Sequence, residues 1–245
     1  MDYAISINHL TKKYKEKTVA DHVSLSIKKG ELFGLLGVNG AGKTTLIKML
    51  CCLLSPTSGQ ASILGYDIKK NQEQVKEIIA VSPQETAIAP NLTVRENLEL
   101  MAGIHGYTKK EVKEKTANMI VNFSLQPYEN QKSKKLSGGW QRKLSIALAL
   151  ISEPKILFLD EPTLGLDILG RRELWALIKK LKEKTTIVLT THYLEEAETL
   201  CDRICVMKEG EVKAIGTVEE MTLMTNSEKF EDAFVKIVTR EEGLA

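Results

Sequence analysis

Residues 32–45 read Leu32-Phe33-Gly34-Leu35-Leu36-Gly37-Val38-Asn39-Gly40-Ala41-Gly42-Lys43-Thr44-Thr45. Leu32 to Leu36 is a short, almost wholly apolar run, as expected of a strand buried on both faces. Gly37 to Thr45 then follows the pattern of a glycine, four residues and Gly-Lys-Thr, and Thr44 to Leu54 reads as a helix ended by Pro56. Strand, glycine turn and helix in that order make a phosphate loop. Glycines let consecutive backbone N–H groups turn toward phosphate oxygens, and the helix start adds partial positive charge. Gly37, Asn39, Gly40, Ala41, Gly42, Lys43, Thr44 and Thr45 are therefore expected around the anion. Lys43 would reach the outer phosphates and Thr44 would ligate Mg²⁺, so the expected ligand is a nucleoside triphosphate with its metal.

Downstream, Ile156-Leu157-Phe158-Leu159-Asp160-Glu161 reads as a buried parallel strand with an acidic end. Ligands of open α/β sheets bind at the carboxyl ends of strands. Asp160 is expected to hold Mg²⁺ through water, and Glu161, one residue further, to polarise the water that attacks the γ-phosphate. Helix 171–184, strand 186–190 and helix 193–200 continue the alternation of a parallel sheet with crossover helices.

Upstream, residues 3–8 and 19–27 read as paired antiparallel strands, with Val23, Leu25 and Ile27 alternating against Ser24 and Ser26. A strand at 61–64, a helix at 72–77 and an apolar segment at 78–82 follow. From 93 to 122 the periodicity turns helical, with Leu98, Met101 and Ala102 on one face and Val112, Met119 and Ile120 on another. A hairpin at 203–207 and 211–215 turns on Glu209-Gly210, and charged helical sequence follows from Val218. The expected fold is α/β: a P-loop core with a mixed sheet, an N-terminal antiparallel β subdomain and an inserted α-helical subdomain. It is read as one domain over 1–245, with the β subdomain and core at about 1–85 and 153–217, the helical part at about 86–152 and a tail at about 218–245.

Bulk properties narrow the class. The 245 residues carry 34 basic and 32 acidic side chains, a formal charge of +2 spread along the chain, so no nucleic-acid partner is expected. No apolar run approaches the ~20 residues of a membrane span. The start lacks the pattern of an export signal, and the four cysteines form no Cys-x-x-Cys pair, which points to a reducing, cytoplasmic setting and to packing roles for the thiols.

Leu136-Ser137-Gly138-Gly139 precedes an apolar helix through Leu144, Ile146, Leu148 and Leu150, and forms a second backbone anion cradle at a helix start. Together with the phosphate loop and Asp160-Glu161, it resembles the signature motif of ABC ATPases. Tyr14, Gln84, Leu166-Asp167 and His192 stand in the order and spacing of that family's A-loop, Q-loop, D-loop and switch histidine, and the resemblance runs from about residue 10 to 217. It implies that Tyr14 stacks on adenine, that Gln84 joins Mg²⁺ or the attacking water, and that His192 bonds the γ-phosphate and orients Glu161. It also implies that Ser137, Gly138 and Gly139 of one subunit close over the ATP held by another, in a homodimer or a heterodimer with a related ATPase.

The same resemblance implies ATP and Mg²⁺ as cofactors and an ATPase on the cytoplasmic face of the membrane, driving export through a separate permease. The segment from Gln84 to Leu98 would meet that permease. Thr191 to Glu198 with Cys201-Asp202-Arg203 looks most like the ATPases of bacterial multidrug and polysaccharide exporters. A soluble non-transport ABC ATPase and a nucleotide-dependent regulator are the competing readings. The first lacks its usual coiled coil, zinc hook or second ATPase half here, and the second is disfavoured by an intact Glu161 and His192. The chain departs from the family pattern at Val38 for Pro, Cys52 for Gly, Trp140 for Gln or Met, Lys143 for Arg and Ile168 for Pro.

Overall fold

A computed structural model describes residues 3–239. The first half runs β1 (Tyr3–Tyr14), β2 (Lys17–Lys28), β3 (Leu32–Leu36), α1 (Lys43–Leu50), β4 (Ser58–Ile63), β5 (Tyr66–Asp67), α2 (Gln72–Ile78) and β6 (Ile79–Ser82). Three helices follow, α3 (Val94–Ile104), α4 (Lys109–Asn122) and α5 (Gly138–Leu150). The chain then returns to the sheet through β7 (Ile156–Asp160), α6 (Ile168–Leu181), β8 (Thr186–Thr191), α7 (Leu194–Leu200), β9 (Arg203–Lys208) and β10 (Glu211–Gly216), and ends in α8 (Val218–Met224) and α9 (Phe230–Thr239).

Two sheets result. The antiparallel one has the order β2-β1-β4-β5, and the other has the order β10-β9-β3-β8-β7-β6, parallel except for β10. β1 and β2 are longer than the alternation suggested because they continue through bulges. His9 and His22 take left-handed φ of 49° and 45°, and the register shifts between Ile7 and Leu10. The extra residue breaks the period-two pattern without breaking the strand.

β3, β7 and β8 are buried along their whole lengths. Their residues alternate between two apolar clusters. Phe33, Leu35, Phe158 and Val188 face α1 and the antiparallel sheet, whereas Leu157, Leu159, Ile187 and Leu189 share a cluster with Leu98, Leu144 and Leu174. The inserted helices thus lean on the same sheet that carries the phosphate loop, from its other face. The helical stretch at 93–122 is two helices, each opened by a capping box (Thr93 with Glu96, Thr108 with Glu111) and separated by Gly106 at φ 78°.

Helix ends differ from the sequence reading for identifiable reasons. α1 stops at Leu50 instead of Leu54, because Cys52 turns left-handed at φ 57°; Cys52 N–H donates to Met49 O at 3.1 Å and Leu53 N–H to Lys48 O at 2.9 Å. That is a Schellman cap with cysteine where glycine is the usual occupant. α6 begins at Ile168 instead of Arg171, since Asp167 caps it by accepting from Gly170 N–H at 2.7 Å. The tail hairpin turns at Glu209 and Gly210, and α8 and α9 cover the sheet through Met221, Phe230, Ala233 and Ile237 beside Leu36 and Val206. Residues 240–245 of the expected tail lie outside the described residues. Among the described residues no helix is long and apolar enough to cross a membrane.

Candidate functional site

The loop from Gly37 to Gly42 joins the carboxyl end of β3 to the start of α1. Its shape is held from three other segments. Gly37 N–H donates to Thr191 O at 3.4 Å, and Gly210 N–H in the β9–β10 turn donates to Ala41 O at 3.1 Å while Gly210 O accepts from Asp21 N–H at 2.9 Å. Gly42 has φ 96°, and a Cβ there would run into the carbonyl of Val19. Gly210, at φ 88°, is pressed against the same Val19 backbone. Side chains are excluded at both positions by conformation and by space.

A cavity of about 390 Å³ opens over this loop, lined by Val19, Asn39, Gly40, Ala41, Gly42, Lys43, Thr44, Thr45, Gln84, Glu161, Leu164 and His192. The phosphate loop, Gln84, Glu161 and His192, four segments far apart in sequence, thus meet at one site. Lys43 is buried and its Nζ donates to Gly37 O at 2.6 Å and Val38 O at 3.2 Å. Burial lowers its pKa, while Glu161 and Asp160 act in the opposite direction.

Asp160 sits beneath the cavity. Its carboxylate accepts from Thr190 Oγ1 and from Thr44 Oγ1, the latter at 3.2 and 3.3 Å. One carboxylate beside one hydroxyl, with Gln84 at the cavity wall, suits a Mg²⁺ that keeps waters and arrives with phosphate oxygens. A dedicated all-protein cage is a different arrangement, and among the described residues no group of three or more His, Cys, Asp or Glu side chains could hold a metal. The donor set therefore fits the expected ion.

Glu161 is strained. It takes φ 48°, and its N–H is shared between Thr190 O at 3.2 Å and Thr190 Oγ1 at 3.0 Å. A left-handed non-glycine residue costs roughly 1–2 kcal/mol, which the surrounding bonds must hold. His192 Nδ1 lies 3.1 Å from Glu161 Oε2. The approach is misaligned, because the buried Nδ1 makes no hydrogen bond. The two side chains are in close contact without a formed hydrogen bond. Behind them, the Tyr193 ring packs on His192 at 4.1 Å between centroids, and Arg171 lies over Tyr193 at 5.3 Å.

The second cradle is elsewhere. Ser137 is the N-cap of α5, and its side chain makes no cap hydrogen bond. Ser137, Gly138 and Gly139 border a separate cavity of about 380 Å³ with Trp140, Lys143, Leu166 and Asp167. Trp140 packs on Tyr128 at 4.7 Å, and Lys143 lies 4.1 Å over Trp140 and 2.7 Å from Glu173. Tyr14 lines neither cavity; it ends β1, 48 % exposed, with Lys12 Nζ 4.9 Å from its ring centroid.

Three residues around the site escaped the sequence reading. Thr190 donates to the Asp160 carboxylate and accepts from the Glu161 backbone N–H; a threonine on a buried strand next to the acidic strand was its only signal. Arg142, on α5, is 5 % exposed and donates to the carbonyls of Pro83 and Gln84. An arginine inside an apolar helix could have pointed to it. Glu196 on α7 is fully buried and accepts from Trp175 Nε1 at 3.1 Å. Burial pushes its carboxyl pKa up; the Thr191 and Thr163 hydroxyls lie near enough to oppose that, yet neither makes a well-aligned bond and Oε2 is left without one.

Comparison with known proteins agrees with this geometry. The ABC transporter family matches residues 20–164, a span that includes the phosphate loop, Ser137 and Asp160-Glu161. The chain is 39% identical over 240 residues to the probable multidrug ABC transporter ATP-binding protein YbhF of Escherichia coli (strain K12), covering 96% of this chain and 41% of that protein. It therefore spans well under half the length of that relative. It is also 39% identical over 218 residues to the linearmycin resistance ATP-binding protein LnrL of Bacillus subtilis (strain 168), covering 89% of this chain and 70% of the relative. A solved dimeric ATP-binding cassette in a post-hydrolysis state bound to ADP and Pi superposes with a TM-score of 0.78 at 30% identity, covering 87% of this chain and 98% of that one.

Proposed function

This chain belongs to the ABC transporter family, and from that premise we propose that it binds and hydrolyses Mg²⁺-ATP to drive export through a separate membrane permease. One observation carries the reading: the phosphate loop, the Thr44–Asp160 pair, Glu161, Gln84 and His192 converge on a single cavity.

In this reading the N–H groups of residues 40–45 and the start of α1 bind the phosphates. Lys43 exchanges its carbonyl partners for phosphate oxygens. Thr44, Asp160 and Gln84 hold Mg²⁺, which supplies charge neutralisation across the outer phosphates. Glu161 takes the proton of the attacking water, and His192 moves the short distance needed to bond the γ-phosphate and fix Glu161. Tyr14 stacks on adenine from the rim.

The Ser137 cradle faces a nucleotide held by another copy or by a related ATPase, so that two chains enclose each ATP. The chain acts as one domain, with the β part and core at about 1–85 and 153–217, the helical part at about 86–152 and a tail at about 218–245. Gln84 to Leu98 meets the permease at the cytoplasmic face of the membrane. Drug-export names among the relatives favour export over a soluble, non-transport role.

The test is phosphate release by the purified protein with Mg²⁺-ATP, for wild type and Glu161→Gln, with light scattering on the same samples. Hydrolysis by wild type and an inactive, ATP-bound dimeric variant support the assignment. Binding without hydrolysis by wild type favours a nucleotide-dependent regulator.

A further inference from the structure

We propose that Arg142 is a positioning residue that couples the Ser137 cradle to Gln84, so that closure of one nucleotide site sets the position of a side chain in the other. The inference rests on the function proposed above. Its basis is a pair of grips by α5 on the strand and loop that carry Gln84. Arg142 Nη1 donates to Pro83 O at 2.6 Å and Nη2 to Gln84 O. One turn further on, Ser145 Oγ meets Ser82 Oγ at 3.2 Å in a buried contact.

Arg142 is an unusual choice for a mere packing residue. A charge taken out of water is costly without a partner, and among the described residues it forms no ion pair. Its charge is met by the two carbonyls and, at longer range, by Asp160 and Glu196, which oppose the effect of its burial. The planar guanidinium fork holds both carbonyls in one geometry, where a lysine would offer a single point charge.

The arrangement joins two sites. Gln84 lines the cavity over the phosphate loop and has its carbonyl in the grip of Arg142. Ser137 caps the same helix that carries Arg142, five residues earlier, about 7.5 Å along the helix axis. A shift of α5 as the Ser137 cradle closes on a nucleotide must therefore move the backbone of Gln84 or break two part-buried, charge-assisted hydrogen bonds.

The experiment compares wild type, Arg142→Met, Arg142→Lys, Gln84→Ala and the double variant Arg142→Met/Gln84→Ala, reading kcat, the Kd for Mg²⁺-ATP and the half-saturating Mg²⁺ concentration. Arg142→Met should lower kcat about ten- to a hundredfold, the scale of a misplacement of about 1 Å. Its Kd should stay within about threefold, a bound set by the phosphate loop being intact, while its Mg²⁺ requirement rises. Arg142→Lys should recover part of the rate, and the double variant should be no slower than Gln84→Ala. A wild-type rate in Arg142→Met, a parallel loss of kcat and affinity, or losses that multiply in the double variant would overturn the proposal.

Hydrogen exchange of residues 84–88 with and without Mg²⁺-ATP separates this from the wider reading and remains readable in Arg142→Lys if the methionine variant fails to fold. Nucleotide-dependent protection that is weakened but not abolished in Arg142→Lys supports the link even in a wild type that hydrolyses nothing, a result that sinks the proposed ATPase instead. Equal protection in both proteins overturns the link.

Discussion

The two glycine-bearing helix starts, at Gly42 and at Gly138, present backbone donors in the same way and are equipped very differently. Around the first, a buried lysine, two carboxylates, a threonine, a glutamine and a histidine converge from four segments. Around the second stand an N-cap serine whose side chain makes no cap bond, a tryptophan, the exposed start of α6 and a lysine already paired with Glu173. Backbone N–H groups suffice to cradle an anion anywhere a helix begins. Chemistry needs charged groups at strand ends, and only the first cradle lies there. The second lacks them, as suits the proposal that it complements a site held by another chain.

The sharpest way to break this contrast is to remove catalysis without removing the cradle. Glu161→Gln is expected to lower turnover about 10²–10⁴-fold, with Mg²⁺-ATP affinity of the monomer retained in a binding titration. Ser137→Ala should lower turnover by about tenfold or more, the effect of one hydrogen bond to a charged group, while leaving monomer affinity unchanged at protein concentrations too low for dimers. A weakened monomer affinity in Ser137→Ala would mean that the second cradle serves its own chain. Tyr14→Ala extends the test to the proposed adenine contact. Loss of one base-stacking contact, ~1–3 kcal/mol, should weaken ATP about tenfold and inorganic triphosphate not at all, measured by competition.

Smaller effects concern what supports the cradles from behind. Glu196 has its carboxyl pKa raised by burial, from 4.5 in the unfolded chain. A folded-state pKa above the unfolded one means that the folded protein holds its proton more tightly. The contribution of Glu196 is thus fully present below pH 4.5 and is lost as pH rises through its folded-state value. Glu196→Gln removes that loss, so its melting temperature relative to wild type should climb as pH rises from 4.5 toward neutrality. A flat or falling difference would contradict the assignment. Cys52→Gly, which relieves the left-handed residue closing α1, should stabilise the protein by about 0.5–1 kcal/mol in denaturant melts.

Features made by neighbouring residues were legible before the structure. The phosphate loop needs only its own glycines, lysine and threonines between an apolar strand and a helix, and Asp160-Glu161 needs only the end of its strand. The register of β1 and β2 was half legible, since the bulges at His9 and His22 interrupt the alternation that announces a strand. What stayed hidden was tertiary. Thr190 reaches Asp160 and Glu161 across a strand pair, Arg142 reaches a loop 58 residues away in the sequence, and the left-handed turn of Glu161 is imposed by Thr190 and not by its own side chain. The early end of α1 was half announced, because a cysteine stands where the family resemblance leads one to expect glycine.

The turn at Gly210 bears on how portable the phosphate loop is. Nine contiguous residues carry the motif, yet their backbone is shaped by Thr191 O, by the Val19 carbonyl and by a hairpin turn at Glu209-Gly210, far downstream in the chain. During synthesis, then, the loop emerges well before the hairpin at 203–216 and waits for the ribosome to deliver it. A chain arrested at residue 200 would display the complete motif in letters and lack the turn that holds Ala41, so nucleotide capture should appear abruptly once residue 216 has cleared the exit tunnel.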